Sequence, residues 1–213
     1  MIVDMAYMVT AFVTLFVIID PIAIAPIFLA LTPDLTAKER SQIALRAVLV
    51  GGFLLALFAF FGKAVLEFAG ISMAAFRVAG GILLFLTAMD MLFERRTKRR
   101  EDSSETPEVL EQDDPSVFPL AIPLIAGPGA IASVILLVGQ KPGGEGLISV
   151  LAITAVVLAI MYCTLCLSSL LERAMSKVAI NVITRVLGML LAALSVQFVL
   201  DGLAEFGFVT PLG

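Results

Sequence analysis

Two apolar stretches of this chain are interrupted by proline and glycine at corresponding places. The first reads Asp20-Pro21-Ile22-Ala23-Ile24-Ala25-Pro26-Ile27-Phe28, the second Pro123-Leu124-Ile125-Ala126-Gly127-Pro128-Gly129-Ala130. A shift of about 100 positions lays Pro21 on Pro123 and Pro26 on Pro128. Proline has no backbone N–H and clashes with the preceding turn, so a helix through either stretch must break or bend. The medium makes such breaks costly. Hydrophobic residues are 60% of 213, charged residues 15%, and mean hydropathy is +1.07. A soluble domain sits near half apolar and a quarter charged. In hydrocarbon, freed backbone groups are tolerated only where protein buries them or a wet cavity meets them.

Six apolar stretches, at roughly 5–31, 41–61, 71–93, 118–138, 147–170 and 178–203, are each near the ~20 residues a membrane helix needs. The expected fold is all-α: a polytopic membrane protein of six transmembrane helices, with the first and fourth discontinuous. Connections are short, which leaves no room for a soluble catalytic domain. The first stretch carries Asp4 and no basic leader, so it is expected to be retained rather than cleaved. Cys163 and Cys166 lie within the fifth stretch and read as small apolar fillers. Histidine is absent, which removes the usual metal ligand and neutral-pH base.

Lys and Arg set the expected orientation. The first, third and fifth connections carry nine, namely Lys38, Arg40, Arg95, Arg96, Lys98, Arg99, Arg100, Arg173 and Lys177, against Lys63 and Lys141 on the other side. Both termini are therefore expected outside and the central linker inside. That linker has a basic run at 95–100 followed by an acidic, polar tract. It reads as solvated chain with a topology anchor, and contact with anionic lipid is the alternative.

A second internal match joins the third and sixth stretches. Arg77-Val78-Ala79-Gly80-Gly81 and Arg185-Val186-Leu187-Gly188-Met189 share Arg, Val and Gly at equal spacing. Three spans per half make the second copy run inverted, a known transporter plan with the site between the repeats. The expected division is 1–93 for the first three-helix repeat, 94–117 for the charged linker and 118–213 for the second repeat. The match is imperfect: about fifteen apolar or small residues precede Asp20, and only about five precede Pro123.

Asp is a favoured N-cap and Pro is favoured at the first helical position. Asp20 can thus cap a half-helix starting at Pro21, and Gly127-Pro128 offers the same geometry without the side chain. Gly129 permits close approach to its backbone. Half-helix N-termini present free donors and positive dipole ends, which suit a carboxylate. The plain alternative is two kinks that only shape packing. An ionisable residue deep in a membrane is functional by default, which singles out Asp20. Arg77 and Arg185 either pair with Asp20 or a substrate carboxylate, or snorkel to the interface. The candidate substrate-binding residues are Asp20, Pro21, Ala25, Pro26, Ala126, Gly127, Pro128, Gly129, Arg77 and Arg185; no metal site is expected. Small pairs such as Gly51-Gly52 and Gly80-Gly81 read as helix contacts, with a homo-oligomer face as the alternative.

The Asp20-Pro21…Pro26-Ile27-Phe28 block and the stretch from Pro119 through Gly127-Pro128-Gly129-Ala130-Ile131 resemble signatures of the MarC family, and Ala75-Phe76-Arg77-Val78-Ala79-Gly80-Gly81 fits too. The resemblance covers essentially the whole chain. It implies a bacterial or archaeal inner-membrane protein. A branch called SnatA is similar and transports small neutral amino acids, glycine and alanine among them. Where the family often has Gly and Asn after Asp-Pro-Ile, this chain has Ala23 and Ile24, which removes one polar group from the candidate site.

Together these readings give a secondary transporter for a small neutral amino acid and no enzyme activity. The alternatives are a channel or facilitator for another small solute, or an exporter. No Gly-x-x-x-x-Gly-Lys-Ser/Thr motif is present. The expected cofactor is none beyond a coupling proton or sodium ion. The expected partners are substrate and membrane lipid, with no nucleic acid.

Overall fold

The structure, a computed structural model, describes residues 5–33, 35–93, 95, 114–141 and 144–207. Nearly all of the linker expected at 94–117 lies outside the described residues. The elements are α1 Met5–Ile19, α2 Pro21–Leu31, α3 Ala37–Phe68, α4 Met73–Leu92, a short distorted segment Ser116–Ile125, α5 Pro128–Gln140, α6 Gly144–Cys166, α7 Ser168–Ala174 and α8 Lys177–Glu205. Among the described residues there is no strand. Among the described residues five spans are long and apolar enough to cross a membrane, or six if the bent pair of Ser116–Ile125 with α5 is one span.

Local sequence sets the helix starts. Thr36 and Glu39 cap α3 reciprocally. Ser72 accepts the Ala75 N–H ahead of α4, and Ser176 accepts the Ala179 N–H ahead of α8. Arg46 of α3 meets Asp114 at 2.7 Å and so fixes where the chain re-enters after the linker. Partial burial raises the Asp114 carboxyl. Hydrogen bonds from Ser116 and the Arg46 charge outweigh it and hold the group below its ordinary value.

The helix starts recur at a different spacing from the prolines aligned in sequence. The first residues of the two half-helices are Pro21 and Pro128, 107 positions apart. The next helices begin at Ala37 and Gly144, also 107 apart. Pro123 sits instead inside the distorted segment, where Phe118 and Ile122 have extended backbone. Pro26 lies within α2. Asp20 and Gly127 each combine a non-helical backbone with a proline that opens an α-helix, whereas Ile122, also extended ahead of Pro123, leads into wide turns.

The most extensive helix pair is α4 on α8. The pair is antiparallel and approaches through glycine. A Cβ added at Gly81 would lie 2.8 Å from the Ser195 carbonyl and 3.0 Å from the Val199 nitrogen. One at Gly202 would lie 2.9 Å from the Ala74 carbonyl, and one at Gly188 3.3 Å from that of Ala88. Membrane helices gain little from hydrophobic driving force, so such close backbone approach is how they associate. The second pair, α3 with α6, is pinned by Ser41 and Tyr162, whose hydroxyls lie 2.9 Å apart. Each of these helices also cradles the interrupted span of the other half. α6 packs on α1 and α2, while α3 packs on Ser116–Ile125 and α5. Gly51 and Gly62 of α3 make room there for Ile125 and Ile135.

Gly81→Val is expected to lower stability by ~1–3 kcal/mol, because two of its three nearest neighbours are backbone atoms that cannot rotate away. Gly144→Ala, with open space at its Cβ, should be neutral. Thermal unfolding of the detergent-purified variants checks this; a Gly81→Val variant that melts with wild type would contradict the packing account.

Candidate functional site

Asp20 interrupts the first span in an unusual way. Its backbone is left-handed, at φ 58 and ψ 65, a conformation that Asp and Asn tolerate better than most residues. The carboxylate is buried, 1% exposed, and its Oδ1 accepts the Ala23 N–H at 3.4 Å. Helical bonding persists on both sides: the Asp20 N–H donates to Phe16, and the Asp20 carbonyl accepts from Ile24. The chain therefore stays one 27-residue span with one reversed residue in it. Pro21 follows at no cost, because the first helical N–H has no intrahelical partner in any helix.

The second interruption is larger. Ser116–Ile125 makes wide turns, with Leu120 bonded to Pro115 and Ala126 to Ala121, and it meets α5 at 53°. Gly127 is extended and no side chain caps α5. The Ser133 hydroxyl, buried one turn into α5, donates to the Gly129 carbonyl at 2.8 Å.

Packing brings the two interruptions together. The Tyr7 hydroxyl of α1 donates to the Leu137 carbonyl of α5 at 2.8 Å. At the other end of the same contact, a Cβ on Gly129 would lie 2.8 Å from Ile18. These two pairs define an antiparallel register between α1 and α5. Two residues further on, that register sets Asp20 opposite Gly127. The N-termini of α2 and α5 thus converge at one depth, and the half-helices run from it toward opposite faces. Each brings a positive dipole end, but few donors: Pro21 and Pro128 have no N–H, Ile24 and Ile131 bond to the Asp20 and Gly127 carbonyls, and Ala23 donates to Asp20 Oδ1.

The remaining candidates are placed as follows. Ala25 and Ala126 are buried, whereas Pro26 and Pro128 are exposed. Ala25 and Pro26 line a cavity of about 270 Å³ with Ile22, Leu171, Glu172 and Ile180. Arg77 is not at the interruptions. Its guanidinium donates to the Gly139 carbonyl at 3.0 Å and to Glu205 at 2.7 Å, near the far end of α5. Gly139 is eleven residues past Pro128, about 16 Å along the helix. Arg185 is exposed on α8. Leu84 of α4 packs near Gly129, and in the α4–α8 register that depth on α8 falls at Ala192, some 10 Å from Arg185. Sequence reasoning missed Ile18, Leu84 and Ser133. Only Ser133 left a signal, a hydroxyl four residues after a glycine in an otherwise apolar run.

A family profile described as MarC family integral membrane protein matches residues 5–206. The chain belongs to the MarC family. A UPF0056 membrane protein of Aquifex aeolicus is 36% identical over 92% of this chain and 91% of its own length. YvbG of Bacillus subtilis is 37% identical over 93% of this chain and 94% of its own, and YhcE of Escherichia coli 35% identical over 90% and 89%. Both also carry the UPF0056 description. No solved structure matches this MarC chain.

Gly129 and Ile18 offer a direct check on the juxtaposition. Gly129→Ala should destabilise the protein through the 2.8 Å contact, and Ile18→Ala should do so by leaving a cavity. The double variant should recover at least half of the combined loss, because the new methyl fills the space Ile18 vacates. Additive losses in thermal unfolding would mean that the two residues do not touch.

Proposed function

We propose that this MarC protein is a secondary transporter for a small neutral amino acid such as glycine or alanine. The observation that carries the reading is the convergence of two half-helix N-termini at Asp20 and Gly127. Backbone donors there suit the substrate carboxylate, and Asp20 supplies the opposite charge for the ammonium or carries a coupling proton; sodium is the other coupling ion considered. At Gly127 and Gly129 the place of a Cβ is taken by the Pro123 carbonyl and by Ile18, a closeness in keeping with a small substrate only. The protein acts by carriage, not catalysis.

The same reading takes the chain as two inverted repeats, 1–93 and 118–213, joined by a cytoplasmic linker at 94–117. The 107-residue recurrence of helix starts and the antiparallel α4–α8 pair both support it. An odd number of spans per half inverts the second copy, and one repeat can then rock against the other around a fixed site. The family resemblance supports a bacterial or archaeal plasma membrane, and the charge asymmetry supports both termini outside.

The test is uptake of labelled glycine into proteoliposomes of purified protein. Uptake should saturate, be competed by alanine and not by leucine, and respond to a proton or sodium gradient. Asn caps helices and adopts left-handed backbone about as well as Asp, so Asp20→Asn should fold normally yet lose at least tenfold in initial rate, whereas Asp90→Asn should not. Linear, unsaturable flux would favour a channel. Full rates for Asp20→Asn would reduce Asp20 to a cap.

A further inference from the structure

Hydroxyls in the helices of this molecule share one habit, and Thr184 breaks it. Thr14, Thr87, Ser133, Thr154 and Thr164 each donate to the carbonyl four residues back. That local bond is how a hydroxyl in an apolar helix satisfies itself. Thr184 of α8 is only 5% exposed, yet its Oγ1 has no hydrogen-bond partner among the described residues. A buried hydroxyl without a partner is costly unless water meets it.

The surroundings have room for that water. Ser176, Ile180 and Thr184 recur at four-residue spacing and so lie along one face of α8. Helical side chains lean toward the N-terminus, so that of Thr184 reaches back over the turn of Ile180. Ser176 and Ile180 line the cavity of about 270 Å³ described above, with Ile22 and Pro26 of α2 and Leu171 and Glu172 of α7. One water needs only ~10–15 Å³ of such space. α2 adds a second polar group to the same wall. Pro26 has no N–H, which removes the helical bond to the Ile22 carbonyl one turn earlier.

The cavity also has an outlet. A second one, of about 420 Å³, shares Pro26 and Glu172 with it and extends along Leu29 and Ala30 to Arg40 of α3. α2 ends and α3 begins at the face that carries the linker. The two cavities thus follow α2 inward from that face as far as Ile22, two residues from Asp20.

We infer that these cavities form a water-filled inner vestibule, by which a small polar solute reaches the helix break at Asp20 from the side of the linker. Water satisfies Thr184 and the Ile22 carbonyl and keeps the passage polar between apolar helices. That the solute is a small neutral amino acid rests on the transport reading above; the hydration does not.

Thiol labelling of the full-length protein in nanodiscs tests the hydration without transport. Cys163 and Cys166 are replaced by alanine, and Ile22→Cys, Ile180→Cys and Val182→Cys are made singly. Val182 lies two residues from Ile180 on the outer side of α8, where it is 55% exposed. A hydrated thiol ionises and reacts with a charged methanethiosulfonate, whereas lipid keeps a thiol protonated. Ile22→Cys and Ile180→Cys should therefore react at least about tenfold faster than Val182→Cys. Equal rates would mean that the cavity is no wetter than the lipid face, and the proposal fails. Thr184→Val gives a second reading. If water satisfies the hydroxyl, its loss should leave the melting temperature unchanged or lower. In a dry pocket the change removes an unpartnered group, and a raised melting temperature would overturn the proposal. The route is tested by glycine uptake into proteoliposomes with the reagent on both sides. Labelled Ile180→Cys should lose most of its uptake, and treated Val182→Cys should keep it. Labelling of Ile180→Cys that leaves uptake intact would overturn the route. If the wild type takes up no glycine, the transport reading fails, and the labelling rates alone decide the vestibule.

Discussion

A backbone N–H in hydrocarbon must find an acceptor, and this molecule is organised around the two places where that demand is not met by helix. Interrupting a span exposes donors at the new N-terminus, at several kcal/mol for each group left in lipid. The two interruptions solve this differently. Asp20 supplies its own side chain and a left-handed turn, so the first span continues as one 27-residue span. The second uses wide turns ahead of Gly127 and bends by 53°. Neither end can face lipid, so each must be covered by the other and by flanking helices.

That requirement explains the packing. α3 and α6 each lie along the interrupted span of the opposite half, and glycine on α3 lets Ile125 and Ile135 seat closely. The α4–α8 pair closes the arrangement through contacts at the level of backbone atoms. Buried hydroxyls are spent locally: Thr14, Ser133 and Thr154 each donate to the carbonyl four residues back. They satisfy themselves within their own helices and carry no charge into the core.

Much of this was legible in the sequence. Length and apolarity marked the six spans, and Asp20-Pro21 announced a capped helix start because that residue pair has one favoured geometry. Gly51, Gly52, Gly80 and Gly81 were readable as contact points. The repeat register was not, because two prolines in each stretch allow two alignments. Only backbone geometry distinguishes Pro128, which opens a helix, from Pro123, which lies in a distorted turn. Arg77 was equally opaque. Its place in the chain permits a reach toward Asp20 or toward the end of α5, and the choice depends on how helices remote in sequence are set side by side. Ile18 against Gly129 left no trace, since any apolar residue looks alike at that position.

The central claim is that backbone donors at the converging half-helix ends hold a carboxylate. The most direct measurement is the NMR response of the Gly129 and Ala130 amides, in the first turn of α5, in isotopically labelled, purified protein. Addition of glycine should move both amide resonances in a saturable way. Glycine methyl ester, which keeps the ammonium and loses the carboxylate, should leave them in place. Amides that respond equally to the ester, or to neither ligand, would contradict the account.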